Sequence, residues 1–188
     1  GWSVYQILLE VFTSYEARRQ GGQLRFNPVR PYRDYIVWLH QQDLSKAETF
    51  WRNELAGFTL PTPLIVDHSP GNLSVQGENV KTDRLSLSHA TSSALKSLAG
   101  ANQLTLNTLV QGAWGLLLSR YSAEEDVVFG GTVSSRPPAL AGADSMVGLM
   151  INTLPVRVFV PQGASLLPWL KQLQEKQASA RHYEYTPL

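Results

Sequence analysis

The residues able to do chemistry are few and far apart. Asn152 interrupts the otherwise apolar run 150–160. An amide held there must be satisfied by a ligand or by a structural network that ties loops to the strand. Arg136 follows Ser134 and Ser135, just past the apolar run 127–129. Loops at strand ends commonly present binding groups, so Arg136 is a candidate binding residue, against the plainer reading of a surface arginine in a turn. Tyr32, Asp34, Tyr35 and Trp38 form an aromatic helix face with one acid, which reads first as core packing. The histidines are His40, His68, His89 and His182. None has another histidine three or four positions away and no H-E-x-x-H occurs, so metal-ligand spacing is missing. Each reads as a surface or capping residue; His182, beside Tyr183 and Glu184, has the most polar company and still reads as a solvated helix end.

Other chemistries are excluded by what the chain lacks. There is no G-x-G-x-x-G and no G-x-x-x-x-G-K-[ST], so no nucleotide loop is supported. Gly1-Trp2-Ser3 continues as Val4-Tyr5 and is not a G-x-S-x-G elbow. With no cysteine, a disulfide scaffold, a thiolate zinc site, an iron–sulfur cluster and a cysteine nucleophile are all ruled out, in keeping with a cytoplasmic location. Sixteen basic and 15 acidic residues leave a net charge of +1, which removes the electrostatic footprint of a general nucleic-acid binder. No apolar run approaches the roughly 20 residues of a membrane helix, and the opening residues lack the basic region of a signal peptide. The 188 residues suit one domain or two small lobes. The start without Met and the ending 184–188 without a polar tail read as a piece of a longer polypeptide.

The elements that must position these residues follow from periodicity. Val4, Ile7, Leu8, Val11, Phe12 and Tyr15 lie on one face of a helix over 2–20, stopped by Gly21-Gly22. Pro28 and Pro31 mark 23–31 as an extended connector. A second helical region covers 32–56, with Ser45 and Glu48 as a capping box restarting the helix and Phe50, Trp51 and Leu55 on one face, up to Gly57. Residues 58–78 read as a long crossing loop and 79–87 as a strand. Ser88 caps a helix to about 100 with Ala94, Leu95 and Leu98 inward. Thr105 caps another over 106–121 with Leu106, Leu109, Val110, Ala113, Trp114, Leu117 and Leu118 inward. Strands follow at 127–129 and 150–160, where Pro155 demands an edge, a bulge or a crossover. Ser165 caps a last helix over 166–183 with Leu166, Trp169, Leu170 and Leu173 on one side. This order predicts α/β layering.

Five stretches, in order, resemble the condensation domain of nonribosomal peptide synthetases. Gly1-Trp2-Ser3 ahead of an amphipathic helix is similar to what closes and follows the H-H-x-x-x-D-G signature. Tyr32-Arg33-Asp34-Tyr35-Ile36-Val37-Trp38 resembles Y-x-D-Y-A-x-W, and Phe50-Trp51 with Leu55 resembles an F/Y-W-x-x-x-L helix. The stretch from Tyr121 through Asp126 and Gly130 to Ser134-Ser135-Arg136-Pro137 resembles Y-S-G-x-x-D-V-x-x-G-x-x-x-S-G-R-P, with Ala123 and Ser135 in place of glycines. Val147-Gly148 through Asn152-Thr153 to Arg157 resembles V/I-G-x-F-V-N-T-x-x-x-R, with Met150 in place of Phe. Residues 182–188 echo the H/N-Q-D-Y-P-F-E segment loosely, and no role is carried onto them.

The resemblance implies a chloramphenicol-acetyltransferase-like α/β fold of two lobes. Residues 1–20 are then the last helix of the N-terminal lobe, 21–78 the bridge and 79–188 the first part of the C-terminal lobe. It implies peptide-bond formation, in which the amine of an acceptor aminoacyl thioester attacks a donor thioester. Both are carried on the phosphopantetheine of carrier proteins beside an adenylation domain, with no cofactor bound directly. Gly1 is then the backbone remnant of the catalytic motif, whose two histidines and aspartate would precede it. Trp2, Ser3, Ser134, Arg136 and Asn152 line the substrate tunnel, and the 188 residues alone are expected to be inactive. A non-catalytic condensation-like domain that docks carrier proteins, another acyltransferase of the superfamily, and an epimerisation domain share these expectations in part.

Overall fold

The computed structural model describes residues 2–22, 24–59, 61–63 and 83–187. Helices α1 (Trp2–Arg19), α2 (Tyr32–His40) and α3 (Leu44–Glu54) come first, then α4 (His89–Ala101) and α5 (Leu106–Ser122). Strands β1 (Asp126–Ser134) and β2 (Ile151–Phe159) follow, separated by a 3₁₀ turn at Ala143–Ser145, and α6 (Leu166–Ala180) runs into a second such turn at Arg181–Tyr183. β1 and β2 form a two-stranded sheet. The N–H of Ser135 bonds to the carbonyl of Met150 at one end and that of Val160 to the carbonyl of Glu125 at the other, which sets a single antiparallel register. β2 therefore keeps an open edge among the described residues.

The described residues divide into two compact units. One draws on Gly1–Asn53, Gly131–Leu154 and His182–Leu188, the other on Glu54–Gly130 and Pro155–Arg181. In the first, Tyr35, Leu140, Ala143, Met146 and Met150 form the core, with Tyr32, Trp38 and Leu39 packed on it. The aromatic face read from the sequence is thus core, as its plainer reading has it. In the same unit α1 buries no residue, and its apolar side chains from Trp2 to Tyr15 stay exposed, from Ile7 at 46% to Tyr5 at 68%.

The second unit is built on Ala99, Leu104, Leu118, Val127, Val158, Trp169, Leu170 and Leu173. Here the inward faces differ from those expected. α5 turns Thr108, Gly112, Gly115 and Leu118 inward, and leaves Leu106, Val110, Trp114 and Leu117 exposed. The reason is close approach. A Cβ on Gly112 would lie 2.5 Å from Leu170 Cδ2, and one on Gly115 2.8 Å from Val158 Cγ1. α6 and β2 supply the bulk, and the glycines of α5 make room for it. In α4 the buried residue is Ala99, while Ala94 and Leu98 are exposed. Leu166 of α6 is exposed as well.

Local signals are closer, with three corrections, the first being that Ser165 stands at the N-cap of α6 without a side-chain cap hydrogen bond. The Ser88 and Thr105 side chains cap α4 and α5 by accepting from the N–H groups of Thr91 and Thr108. Gly21 and Gly57, with φ of +75° and +79°, follow α1 and α3 as left-handed terminators. The start of α3, however, is capped by Asp43, whose Oδ1 accepts from the Ser45 N–H at 3.1 Å and the Ser45 hydroxyl at 2.5 Å. Glu48 pairs forward with Arg52 instead of reaching back to Ser45, so the capping box is not made. A carboxylate one residue before the helix is the stronger acceptor for the first-turn donors. The expected strand over 79–87 is not a strand at 83–87, where Leu85 is 89% exposed and no ladder partner exists among the described residues. Residues 79–82 lie outside the described residues.

Candidate functional site

Of the site residues read from the sequence, Trp2, Ser3, Arg136 and Asn152 fall within the first unit in two networks. One joins the first turn of α1 to the loop that follows β1. Trp2, Ser3 and Gln6 share a face of the helix because three and four residues make a turn. Trp2 Nε1 and Gln6 Nε2 both donate to the carbonyl of Asp144, at 2.8 and 2.5 Å. Ser3 Oγ accepts from the N–H of Gly148 at 3.1 Å and donates to its carbonyl at 2.9 Å. Arg136 Nη2 donates to Ser3 Oγ at 3.3 Å, while its Nη1 donates to the carbonyls of Ala143 and Met146. The Arg136 guanidinium also stands 5.9 Å from the centre of the Trp2 ring, within cation–π range. Arg136 is therefore a half-buried clasp, not the free surface arginine of its plainer reading.

The first residue of α2 and Arg30 just before it complete this cradle. Tyr32 donates to the carbonyl of Leu149 at 2.7 Å, and Arg30 Nη1 to that of Ala141 at 3.0 Å. From Ala141 to Leu149 the loop backbone is thus held mostly by side-chain donors. The sequence reading missed Gln6, Arg30 and Gly148 as parts of one assembly. A glutamine among apolar residues, one turn after Trp2, was the available signal for Gln6. Its Oε1 is a buried acceptor without a protein partner.

The second network centres on Asn152. Its Nδ2 donates to the carbonyls of Glu184 and Thr186, at 2.9 and 2.7 Å, and its Oδ1 accepts from the Thr153 N–H. Ser135 Oγ donates to the same Glu184 carbonyl at 3.4 Å. The segment 183–186 is further held by Trp51 Nε1 on Thr186 Oγ1, by stacking of Tyr183 on Phe50 and by Tyr185 on the Asp43 carbonyl. Burial pushes the Tyr185 and Tyr35 phenols up, in Tyr35 partly offset by a hydrogen bond with Ser135. Asn152 is satisfied by backbone carbonyls, the structural-amide alternative of its sequence reading. Ser134 closes β1 and is exposed; Gly1 and His68 lie outside the described residues.

In the second unit, Arg157 carries a separate staple. It forks onto Asp126, with Nη2 at 2.6 Å from Oδ2, and its Nη1 donates to the carbonyls of Glu54 and Ala56 at the end of α3. Hydrogen bonding to Asp126 raises its pKa further.

Chemically, the cradle orients. The described partners of Ser3 are the Arg136 guanidinium and the Gly148 backbone, neither of which is a general base. Among the described residues no His, Asp and Glu cluster could hold a metal ion, and no helix is long and apolar enough to cross a membrane.

The chain is 52% identical over all its 188 residues to a linear gramicidin synthase of Brevibacillus parabrevis, and 36% identical to a surfactin synthase of Bacillus subtilis. It spans only 4% and 5% of those proteins. Among solved structures, the first condensation domain of the calcium-dependent antibiotic synthetase, in complex with a substrate analogue, superposes with a TM-score of 0.77 at 18% identity. The match covers 98% of this chain and 42% of that one. The X-domain from teicoplanin biosynthesis, in its complex with OxyB, gives 0.72 at 25% identity over 100% of this chain and 42% of its own. The fold is thus that of condensation domains, and the family model for the condensation domain matches residues 1–188. On these grounds the chain belongs to the condensation-domain family.

Proposed function

We propose that the chain serves as part of a condensation domain in a nonribosomal peptide synthetase. The acceptor amine nitrogen attacks the carbonyl carbon of the donor thioester, the C–N bond forms and the C–S bond breaks. The proton lost from the amine nitrogen ends on the donor's phosphopantetheine sulfur, which departs as the thiol. Carrier proteins bring both thioesters, and the adenylation domain that loads them belongs to the same or a partner synthetase. The observation that carries this reading is the cradle, which fixes the helix turn after Gly1, the closing glycine of the resembled motif, through Trp2, Ser3 and Arg136. Similarity to synthetases along the whole chain supports it.

In this reading 1–20 belong to the N-terminal lobe, 21–78 to the bridge and 79–188 to the C-terminal lobe. Gly1, Trp2, Ser3, Ser134 and Arg136 face or support the substrate tunnel, and Asn152 supports it through residues 184–186. The 188 residues hold no adjacent pair of histidines, and the chain alone is inactive. The test supplies two loaded carrier proteins to the complete synthetase module and, separately, to residues 1–188. Dipeptidyl thioester, read by mass spectrometry, is expected from the first only. Its formation by residues 1–188 would overturn the proposed dependence, and no product from the module would overturn the function. The similarity to an X-domain in complex with OxyB supports a second reading, a condensation-like domain that docks partner proteins, carrier proteins among them, without forming the amide. A module that binds partners and forms no amide would select it.

A further inference from the structure

Gly148 is held from two sides. Ser3 bonds both its N–H and its carbonyl, and the Tyr32 ring lies where a side chain would go. A Cβ on Gly148 would overlap Tyr32 Cδ2 and fall 2.6 Å from Cε2. The Tyr32 hydroxyl then ties the next carbonyl, that of Leu149, at 2.7 Å. Ring and hydroxyl thus both bear on the 148–149 backbone that Ser3 holds from the other side. Ser3 lies in the first turn of α1, so its bonds to Gly148 tie that turn to the loop.

We propose that Tyr32 is a positioning residue for the transfer reaction, acting through Gly148 and Ser3 on the first turn of α1. This rests on the function proposed above. Tyr32 touches neither substrate in this scheme; it removes slack from the helix end beside the reacting groups. Such slack is costly, because a displacement of about 1 Å at reacting groups can lower a rate by about 100-fold.

The test uses the complete synthetase module with donor and acceptor carriers loaded. Tyr32→Phe keeps the ring and removes the bond to Leu149. Expected are single-turnover transfer slowed about tenfold, an unchanged half-saturating carrier concentration, and faster hydrogen exchange in the peptide covering 147–149. Ser3→Ala is expected to speed exchange of the same peptide. The double variant is expected to be no slower than the slower single one, because both act through one path. Wild-type transfer by Tyr32→Phe, slowed transfer with unchanged exchange, or independent multiplication of the two effects would each overturn the proposal. A wild-type module that forms no amide sinks the assigned reaction and the catalytic part of this proposal with it. The exchange readout still decides whether Tyr32 fixes Gly148, so the two failures are told apart.

Discussion

Single residues carried their chemistry in their type but not in their partners. Asn152 had to be satisfied wherever it lay; that its partners are the carbonyls of Glu184 and Thr186 depends on where the chain returns, 32 and 34 residues later. Arg136 likewise announced a planar set of donors, and only the fold aims them at Ala143, Met146 and Ser3. Asp43 was overlooked because Ser45 and Glu48 matched a familiar pattern just after it. Its pKa is lowered, first by the Ser45 hydroxyl and then by Lys46. A carboxyl whose folded pKa lies below its unfolded value stabilises above the unfolded pKa, and that contribution fades as pH falls through the folded one. The wild type is therefore expected to lose its stability advantage over Asp43→Asn as pH drops below the ordinary carboxylate range. Denaturant midpoints of both across acid pH check this, and parallel curves would remove Asp43 as the titrating cap. The effect is small, since the side chain is solvated.

At the scale of elements, starts and stops were legible because their signals are local. Gly21, Gly57, Ser88 and Thr105 act on backbone within a few residues. Inward faces were harder to read. α5 offers two faces, one with leucines and a tryptophan and one with small residues, and periodicity alone favours the bulky face. The close passage of Leu170 and Val158 selects the small one. Two alanine substitutions separate these effects. Gly100→Ala in α4 meets open space, so the gain in helix propensity of about 0.5–1 kcal/mol should raise Tm. Gly112→Ala in α5 gains the same term but forces Leu170 and Trp169 aside, an overpacking cost of about 1–3 kcal/mol. Gly112→Ala should therefore lower Tm. Thermal melts of the two variants in the complete domain check the opposite signs; a rise for both would mean that α5 and α6 do not pack this way.

At the scale of the whole molecule, exposure dominates. α1 presents apolar side chains along its length, and α5 presents Leu106, Val110, Trp114, Leu117 and Tyr121. Patches this large ordinarily meet a partner surface. Residues 1–188 produced alone are accordingly expected to self-associate and to melt over a broad range. Light scattering and calorimetry read both, and a monomer with one sharp transition would contradict the expectation. The amino-acid sequence by itself determined the stops at Gly21 and Gly57 and the caps at Ser88 and Thr105, that the chain carries no nucleotide-loop motif and no cysteine, and which family the motifs resemble. These depend on residue type and on spacings of a few residues. The tertiary structure alone decided which face of α5 is core, what satisfies Asn152, and that Ser3 meets Gly148 across 145 residues. Such pairings are chosen by chain return and close packing, which no local pattern encodes.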